Sequence, residues 1–209
     1  MLNSVRFRLA LVAVVLCLVI ATGCASTKPS RFYTLSSLVS SETGTKAGAS
    51  SPGIAIGVGP IRLPEHLDRQ QIVTRSSGNE LRLAEFDRWA GSLKDDFSRV
   101  LAENLSILLS TDRVSLYPWR RSMSIDYQVV VDVARFDGEL GGNALLDARW
   151  TVFGGRDKEV LSMHTSRISE PSGTQGHAAL VAAQSRALGR LSREIAEAIE
   201  DISKKKRRD

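Results

Sequence analysis

Hydrophobic positions along this chain fall into two periods, and each period marks one kind of element. Ile125, Tyr127, Val129, Val131 and Val133 alternate with their neighbours, the period of two that a half-buried strand requires. Leu146, Ala148, Trp150 and Val152 mark a second strand after the loop Asp137-Gly138-Glu139-Leu140-Gly141-Gly142-Asn143. Val160 to Ile168 forms a third after the turn Gly154-Gly155-Arg156-Asp157-Lys158, and Pro171-Ser172-Gly173 ends it, so this region predicts an antiparallel meander. The helical period appears twice. Within residues 86–110, Leu93, Phe97, Val100, Leu101, Leu105 and Leu108 form an apolar stripe. Ser92 with Asp95 three residues on resembles a capping box, and a start at Asp87 is the alternative. From Gly176 to about Ser203 a second long helix puts Leu180, Leu188, Leu191, Ile195 and Ile199 on one face.

Shorter apolar runs fill the first half. Ser30 to Leu35 reads as a first strand, and Ile54 to Val58 as another, stopped by Gly59-Pro60. Residues 61–69 are Pro-punctuated and read as an ordered loop. Gln71 to Arg75 and Leu81 to Glu85 flank Ser76-Ser77-Gly78-Asn79, a hairpin turn, and Arg113 to Tyr117 is a strand ended by Pro118. Residues 36–53, rich in Ser, Thr, Gly and Ala, predict a flexible loop. The fold class that follows is α/β: a mixed, largely antiparallel sheet covered by two long amphipathic helices in a single domain over 24–203, with a basic tail at 204–209.

The N-terminus is of a different kind. Arg6 and Arg8 precede an unbroken apolar run from Leu9 to Ile20, about twelve residues long and short of the roughly twenty that span a bilayer. Small residues follow up to Cys24, so residues 1–23 read as an export signal that is removed. Ala21-Thr22-Gly23-Cys24 resembles the bacterial lipobox, with Cys24 as the lipid attachment site; an ordinary signal with a chance cysteine is the bland alternative. The expected modification is a covalent N-acyl and S-diacylglycerol lipid, and no other cofactor. Two or more acyl chains hold a protein to a membrane stably where one does not. Cys17 leaves with the signal, so the mature chain has no pair of thiols for an internal disulfide. Ala25 after the lipidated cysteine, where Asp retains enterobacterial lipoproteins in the inner membrane, points to the periplasmic face of the outer membrane.

Charge changes the picture less than its total suggests. The formal +5 falls to +3 when Arg6 and Arg8 leave, and the tail Lys204-Lys205-Lys206-Arg207-Arg208-Asp209 carries +4, leaving the body near −1. That distribution argues against a nucleic-acid-binding face. The tail has two readings: contact with anionic headgroups or an acidic partner, or a frayed solvated terminus.

Little in the chain points to catalytic chemistry. His66, His164 and His177 stand in no metal-ligand spacing, and there is no Gly-x-Ser-x-Gly elbow or phosphate-binding glycine loop. Asp95-Asp96 reads as a solvated helix face. No catalytic or metal-binding residue is assigned, and the chain is read as a non-enzyme. Trp89 and Trp150 read as core, and Trp119, between Pro118 and Arg120-Arg121, as either core or interface.

The order of several motifs resembles the PqiC/YmbA-type auxiliary lipoproteins of bacterial transporters, which are partnered with MCE-domain lipid-transport systems. The likeness starts at Arg31-Phe32-Tyr33-Thr34-Leu35 and continues in Ile56-Gly57-Val58-Gly59-Pro60-Ile61-Arg62-Leu63-Pro64 and Leu67-Asp68-Arg69-Gln70-Gln71-Ile72-Val73-Thr74-Arg75. It runs on through Glu85-Phe86-Asp87-Arg88-Trp89-Ala90, Tyr117-Pro118-Trp119, Phe136-Asp137-Gly138 and Ala148-Arg149-Trp150. The resemblance implies a non-catalytic part of an envelope transport assembly. Its implied partners are an MCE-domain tunnel protein, inner-membrane transporter subunits, the membrane itself through the lipid, and further copies of the chain. No obvious structural need accounts for the charges between Pro64 and Arg75, and Arg69 and Trp119 are the residues assigned to partner contact. The competing readings are a structural or assembly-factor lipoprotein that moves no lipid, and a periplasmic hydrolase.

Overall fold

In a computed structural model the chain is described over residues 28–38 and 53–208, apart from 121 and 156, and at the isolated Arg6. Cys24, the proposed export signal apart from Arg6, and most of the 36–53 loop lie outside the described residues. The elements in chain order are β1 (Arg31–Tyr33), β2 (Ile56–Arg62), β3 (Gln71–Arg75), β4 (Leu81–Trp89), α1 (Leu93–Leu108), β5 (Val114–Leu116), β6 (Tyr127–Gly138), β7 (Asn143–Gly154), β8 (Val160–Pro171) and α2 (His177–Lys206).

The expected mixed α/β domain is present, with its strands divided between two sheets. A five-stranded sheet runs β5-β2-β6-β7-β8, and a three-stranded sheet runs β1-β4-β3. The meander is antiparallel as its alternation predicts, while β2 runs parallel to both β5 and β6, and β1 parallel to β4. Both helices pack on one face of the large sheet, α1 over β2 and β5 and α2 over β6, β7 and β8, and they touch each other. Phe97, Leu101 and Leu105 of α1 and Leu188, Leu191 and Ile195 of α2 are sealed against Val129, Val131 and Val152. Fully burying an aliphatic side chain of this size contributes about 1.5–3 kcal/mol, so these stripes and the sheet's alternating face hold the domain together.

Several boundaries differ from those the sequence predicts, among them the loop expected from Asp137, since β6 runs through Gly138 and β8 on to Pro171. Residues 86–89 belong to β4 and not to a helix, because Asp87 and Trp89 point inward in the period of two and β4 has a strand on each side. The helix begins after Ser92, whose Oγ accepts the Asp95 backbone N–H at 3.2 Å. Gly59-Pro60 does not end β2. The strand passes through it with a register shift between Val58 and Ile61, a bulge where a residue without an N–H is tolerated. Gly59 has φ +116°, a conformation open to glycine. A second bulge, between Val133 and Arg135 on β6, shifts the inward set so that Phe136 and Gly138 are buried. Finally, α2 continues through Lys206, so the first half of the basic tail is helical, and its three lysines complement the negative end of the helix dipole.

Candidate functional site

The first described residues are fastened to the body by a series of polar bonds. Asp87, almost fully buried on β4, receives a hydrogen bond from the Tyr33 hydroxyl at 2.7 Å and from Arg31 Nη2 at 3.0 Å. Arg31 Nε lies 2.8 Å from Oδ1, and His177 Nδ1 at the start of α2 lies 3.2 Å from Oδ2. Burial pushes the Asp87 carboxyl up; the bonds from Arg31 and Tyr33, with charge from His177 and Arg31, outweigh it and hold the group below the usual carboxylate range. Burial also holds His177 below its ordinary value, opposed by Asp87, and pushes the Tyr33 phenol up.

The fastening continues past β1. The Leu35 N–H donates to Asp96 Oδ2 at 2.6 Å, and Arg99 Nη2 donates to the Leu35 carbonyl at 3.2 Å. Asp96 is therefore not part of a merely solvated face. Ser36 N–H donates to Ser185 Oγ at 3.1 Å, and Leu38 N–H donates to Asn104 Oδ1 at 2.7 Å. Asn104 is buried between the helices and donates to Ser192 Oγ. The expected loop at 36–53 thus starts with tethered residues.

A second buried carboxylate joins the two sheets. Asp137 on β6 accepts Arg75 Nη2 at 2.8 Å and Nε at 3.2 Å, together with Arg135 Nε at 2.8 Å. Arg75 ends β3 and also donates to the Gly78 carbonyl of the hairpin turn. One charge in the Pro64–Arg75 stretch therefore has a structural need that the sequence reading did not see.

The residues assigned to partner contact are not brought together. Arg69 is exposed in the turn before β3, next to Gln70, whose carbonyl accepts the Trp89 N–H. Trp119 lies over Gly57 of β2, on the sheet face turned away from the helices. A Cβ at Gly57 would come within 2.7 Å of the Trp119 ring, so glycine is what lets the indole lie on the strand. Tyr117 packs edge-on against it with centroids 5.5 Å apart, and the Lys158 ammonium stands 5.9 Å from the ring. Lys158 also donates to Gln128 Oε1 at 2.7 Å, and Gln128 Nε2 donates to the Gly59 carbonyl in the β2 bulge at 2.8 Å. Tyr117 is 56% exposed and Trp119 is half-buried. Trp89 and Trp150 are core, as read, with Trp150 Nε1 donating to Ser166.

The long helix separates these features along the molecule. Thirty residues at about 1.5 Å each span roughly 45 Å. His177 marks the end beside Asp87 and β1. At the other end Ile202, Lys205 and Lys206 line a cleft of about 700 Å³ with Tyr127, Gly154 and Val160. Among the described residues no three His, Cys, Asp or Glu side chains converge on a point where a metal ion would sit, and no helix is long and apolar enough to cross a membrane.

The profile of the family described as ABC-type transport auxiliary lipoprotein component matches residues 33–196, from Tyr33 in the Asp87 clasp to the buried stretch of α2. The chain belongs to this family. The PqiC/YmbA-type resemblance carried by the motifs therefore stands. An uncharacterized protein of known crystal structure is similar to this lipoprotein component with a TM-score of 0.67 at 16% identity, over 82% of this chain and 99% of its own. A Xanthomonas campestris protein of family DUF330 is similar with a TM-score of 0.66 at 17% identity, over 86% and 100%. At such identities both likenesses speak for the fold. No curated relative matches the sequence.

In this chain the motifs divide by what their residues touch. Arg31, Tyr33 and Asp87 belong to one clasp and Arg75 and Asp137 to the other, while Tyr117 and Trp119, lying over Gly59 and Gly57, form the aromatic platform. These residues stand in the motifs, but their pairings leave no mark there, because the partners lie 54 and 62 positions apart.

Proposed function

We propose that this auxiliary lipoprotein is a non-catalytic component of an MCE-type intermembrane lipid transport system. It is held at the periplasmic face of the outer membrane by lipid on Cys24. The observation that carries the reading is the family match over 33–196, joined to a lipobox a few residues before β1. Supporting it, the clasp on Asp87 fixes the chain just after the proposed anchor, so the domain follows the membrane closely. The Tyr117–Trp119 platform and Arg69 are the proposed contacts for the MCE-domain tunnel protein and the inner-membrane subunits. Further copies of the chain complete the assembly.

Affinity purification of the full-length protein from its own membranes tests this reading. Co-purification of an MCE-domain protein, together with palmitate incorporation that Cys24→Ala abolishes, is the expected result. Recovery alone, with an unchanged lipid distribution on deletion, would overturn it in favour of a structural lipoprotein.

A further inference from the structure

Three turns knit one end of the domain together. Arg75, bonded to the Gly78 carbonyl of the β3–β4 turn, reaches Asp137 near the end of β6. The β6–β7 loop that follows meets the segment before α2. There the Ser172 N–H donates to the Gly142 carbonyl at 2.9 Å, and a Cβ on Gly141 would come within 2.8 Å of the Gln175 side chain. α2 then opens at His177, beside Asp87 and Arg31. The start of β1 belongs to this end too, because β1 runs parallel to β4 and the chain enters it from the side of the β3–β4 turn.

Three large apolar side chains stand out of this end, each from a different element. Phe32 on β1 is 64% exposed, Leu83 on β4 50% and Leu140 in the β6–β7 loop 39%. Singly, such exposure is ordinary. Around them the exposed charges are close to balance, with Lys28, Arg31 and Arg82 against Glu80, Glu85 and Glu139. Apolar side chains among mixed charges suit the boundary between headgroups and acyl chains.

The distal end, where α2 finishes, also exposes Val160 and Leu161 beside its cleft, so apolar surface alone does not choose between the ends. The tether does. Seven residue steps from Cys24 to Arg31 span at most about 25 Å. The far end of α2 lies roughly 45 Å from His177, too far to be turned down onto a membrane that holds Cys24. Nor does α2 suit lying lengthwise there, because Glu197, Glu200 and Asp201 are exposed before the tail and would meet headgroup phosphates.

We propose that the three-turn end rests on the bilayer that holds the anchor, with Phe32, Leu83 and Leu140 dipping into the headgroup layer and α2 standing away from it. The basic tail then points away from this membrane, which leaves solvent or an acidic partner as its surroundings. This proposal rests on the Cys24 anchor of the function above and on none of its partners or cargo.

The experiment places the full-length lipidated protein in vesicles of phosphatidylethanolamine and phosphatidylglycerol. With the Cys24 sulfur blocked by lipid, Leu140→Cys, Met163→Cys or Lys206→Cys provides a single site for an environment-sensitive dye. Lipids carrying a nitroxide at the headgroup should remove most of the emission at 140 and leave 163 and 206 unchanged, and the 140 emission should lie to the blue of the other two. Phe32→Ser with Leu83→Ser should weaken the quenching at 140 while the lipid keeps the protein on the vesicle. Quenching at 206, or at 163 on the sheet face turned away from the helices, overturns the end-on arrangement. Protein that alkaline carbonate strips from the vesicles removes the anchor and this proposal together. Protein that resists stripping with an unquenched 140 site keeps the anchor and overturns the proposal alone.

Discussion

Tyr33 and Asp87, 54 positions apart, meet at 2.7 Å, and this hydrogen bond holds the first strand against β4. The same carboxylate takes Arg31 on one side and faces His177 on the other, so three chain segments converge on one buried charge. A hydrogen bond to a charged group contributes about 1.5–3 kcal/mol, which sets the scale for Tyr33→Phe. Asp87→Ala should cost more, since it removes the acceptor for every donor there. Thermal unfolding and protease susceptibility before Leu35 should both register the change. A variant as stable and as resistant as wild type would mean that the clasp does not hold β1.

Acid should loosen this region before it loosens the rest. His177 is held below its ordinary value by burial, so the unfolded chain takes up its proton first. Its contribution is complete above about pH 6.5, the unfolded value, and declines as pH falls through the window beneath. Asp87 is held below the carboxylate range, so its contribution is lost only at still lower pH. The melting temperature is expected to fall between about pH 7 and about pH 5, and His177→Asn should flatten that slope. An unaltered slope in the variant places the acid sensitivity elsewhere.

Arg75→Ala leaves Asp137, with a side chain only 1% exposed, supported by Arg135 alone. Breaking a buried pair by removing one partner costs about 3–5 kcal/mol, and the remaining arginine keeps the expected loss near about 3 kcal/mol. Chemical denaturation measures it directly. Arg75→Lys should recover only part, because an ammonium cannot reproduce the two-pronged contact of Nε and Nη2.

At Gly57 the expected effect is local. An alanine methyl group would collide with the Trp119 ring and push it toward solvent. Tryptophan emission should shift to the red, against the constant signal of Trp89 and Trp150, which are 4% and 3% exposed. Under the proposed function, recovery of an MCE-domain protein should fall at least as far as in Trp119→Ala, with the melting temperature within a few degrees of wild type. Full recovery with a displaced ring would remove Trp119 from the proposed contact surface.

Most of the secondary structure was legible because it follows from local periodicity. The meander, the α1 stripe, the Ser92 cap and the long C-terminal helix are each written within a few residues of one another. The division into two sheets was not, because the Arg31–Tyr33 pairing with β4 skips over β2 and β3 and leaves no local trace. The misplaced start of the first helix has a related cause. Phe86 to Trp89 contains apolar residues that suit a helix as well as a strand, and the pairing with β1 and β3 decides between them. For the site, Trp119 was visible as an aromatic beside a proline, but its seat on Gly57 depends on β5 lying next to β2. Asp137 was read as a loop residue because the Gly-rich sequence after it resembles a turn, while the bulge after Val133 turns it toward Arg75.

The parallel pairing of β1 with β4 also has a mechanical consequence. A pull arriving from the N-terminal side is directed along β1, so it loads the ladder to β4 and the Arg31 and Tyr33 bonds to Asp87 together, in shear. Bonds loaded in parallel share the force, whereas a peeled hairpin yields them one at a time. Behind β1 the load passes to Asp96 and Arg99 through Leu35, then to Asn104 through Leu38, and so into both helices. Three residues of strand thereby act as a strain relief between whatever tugs on the N-terminus and a core that stays packed.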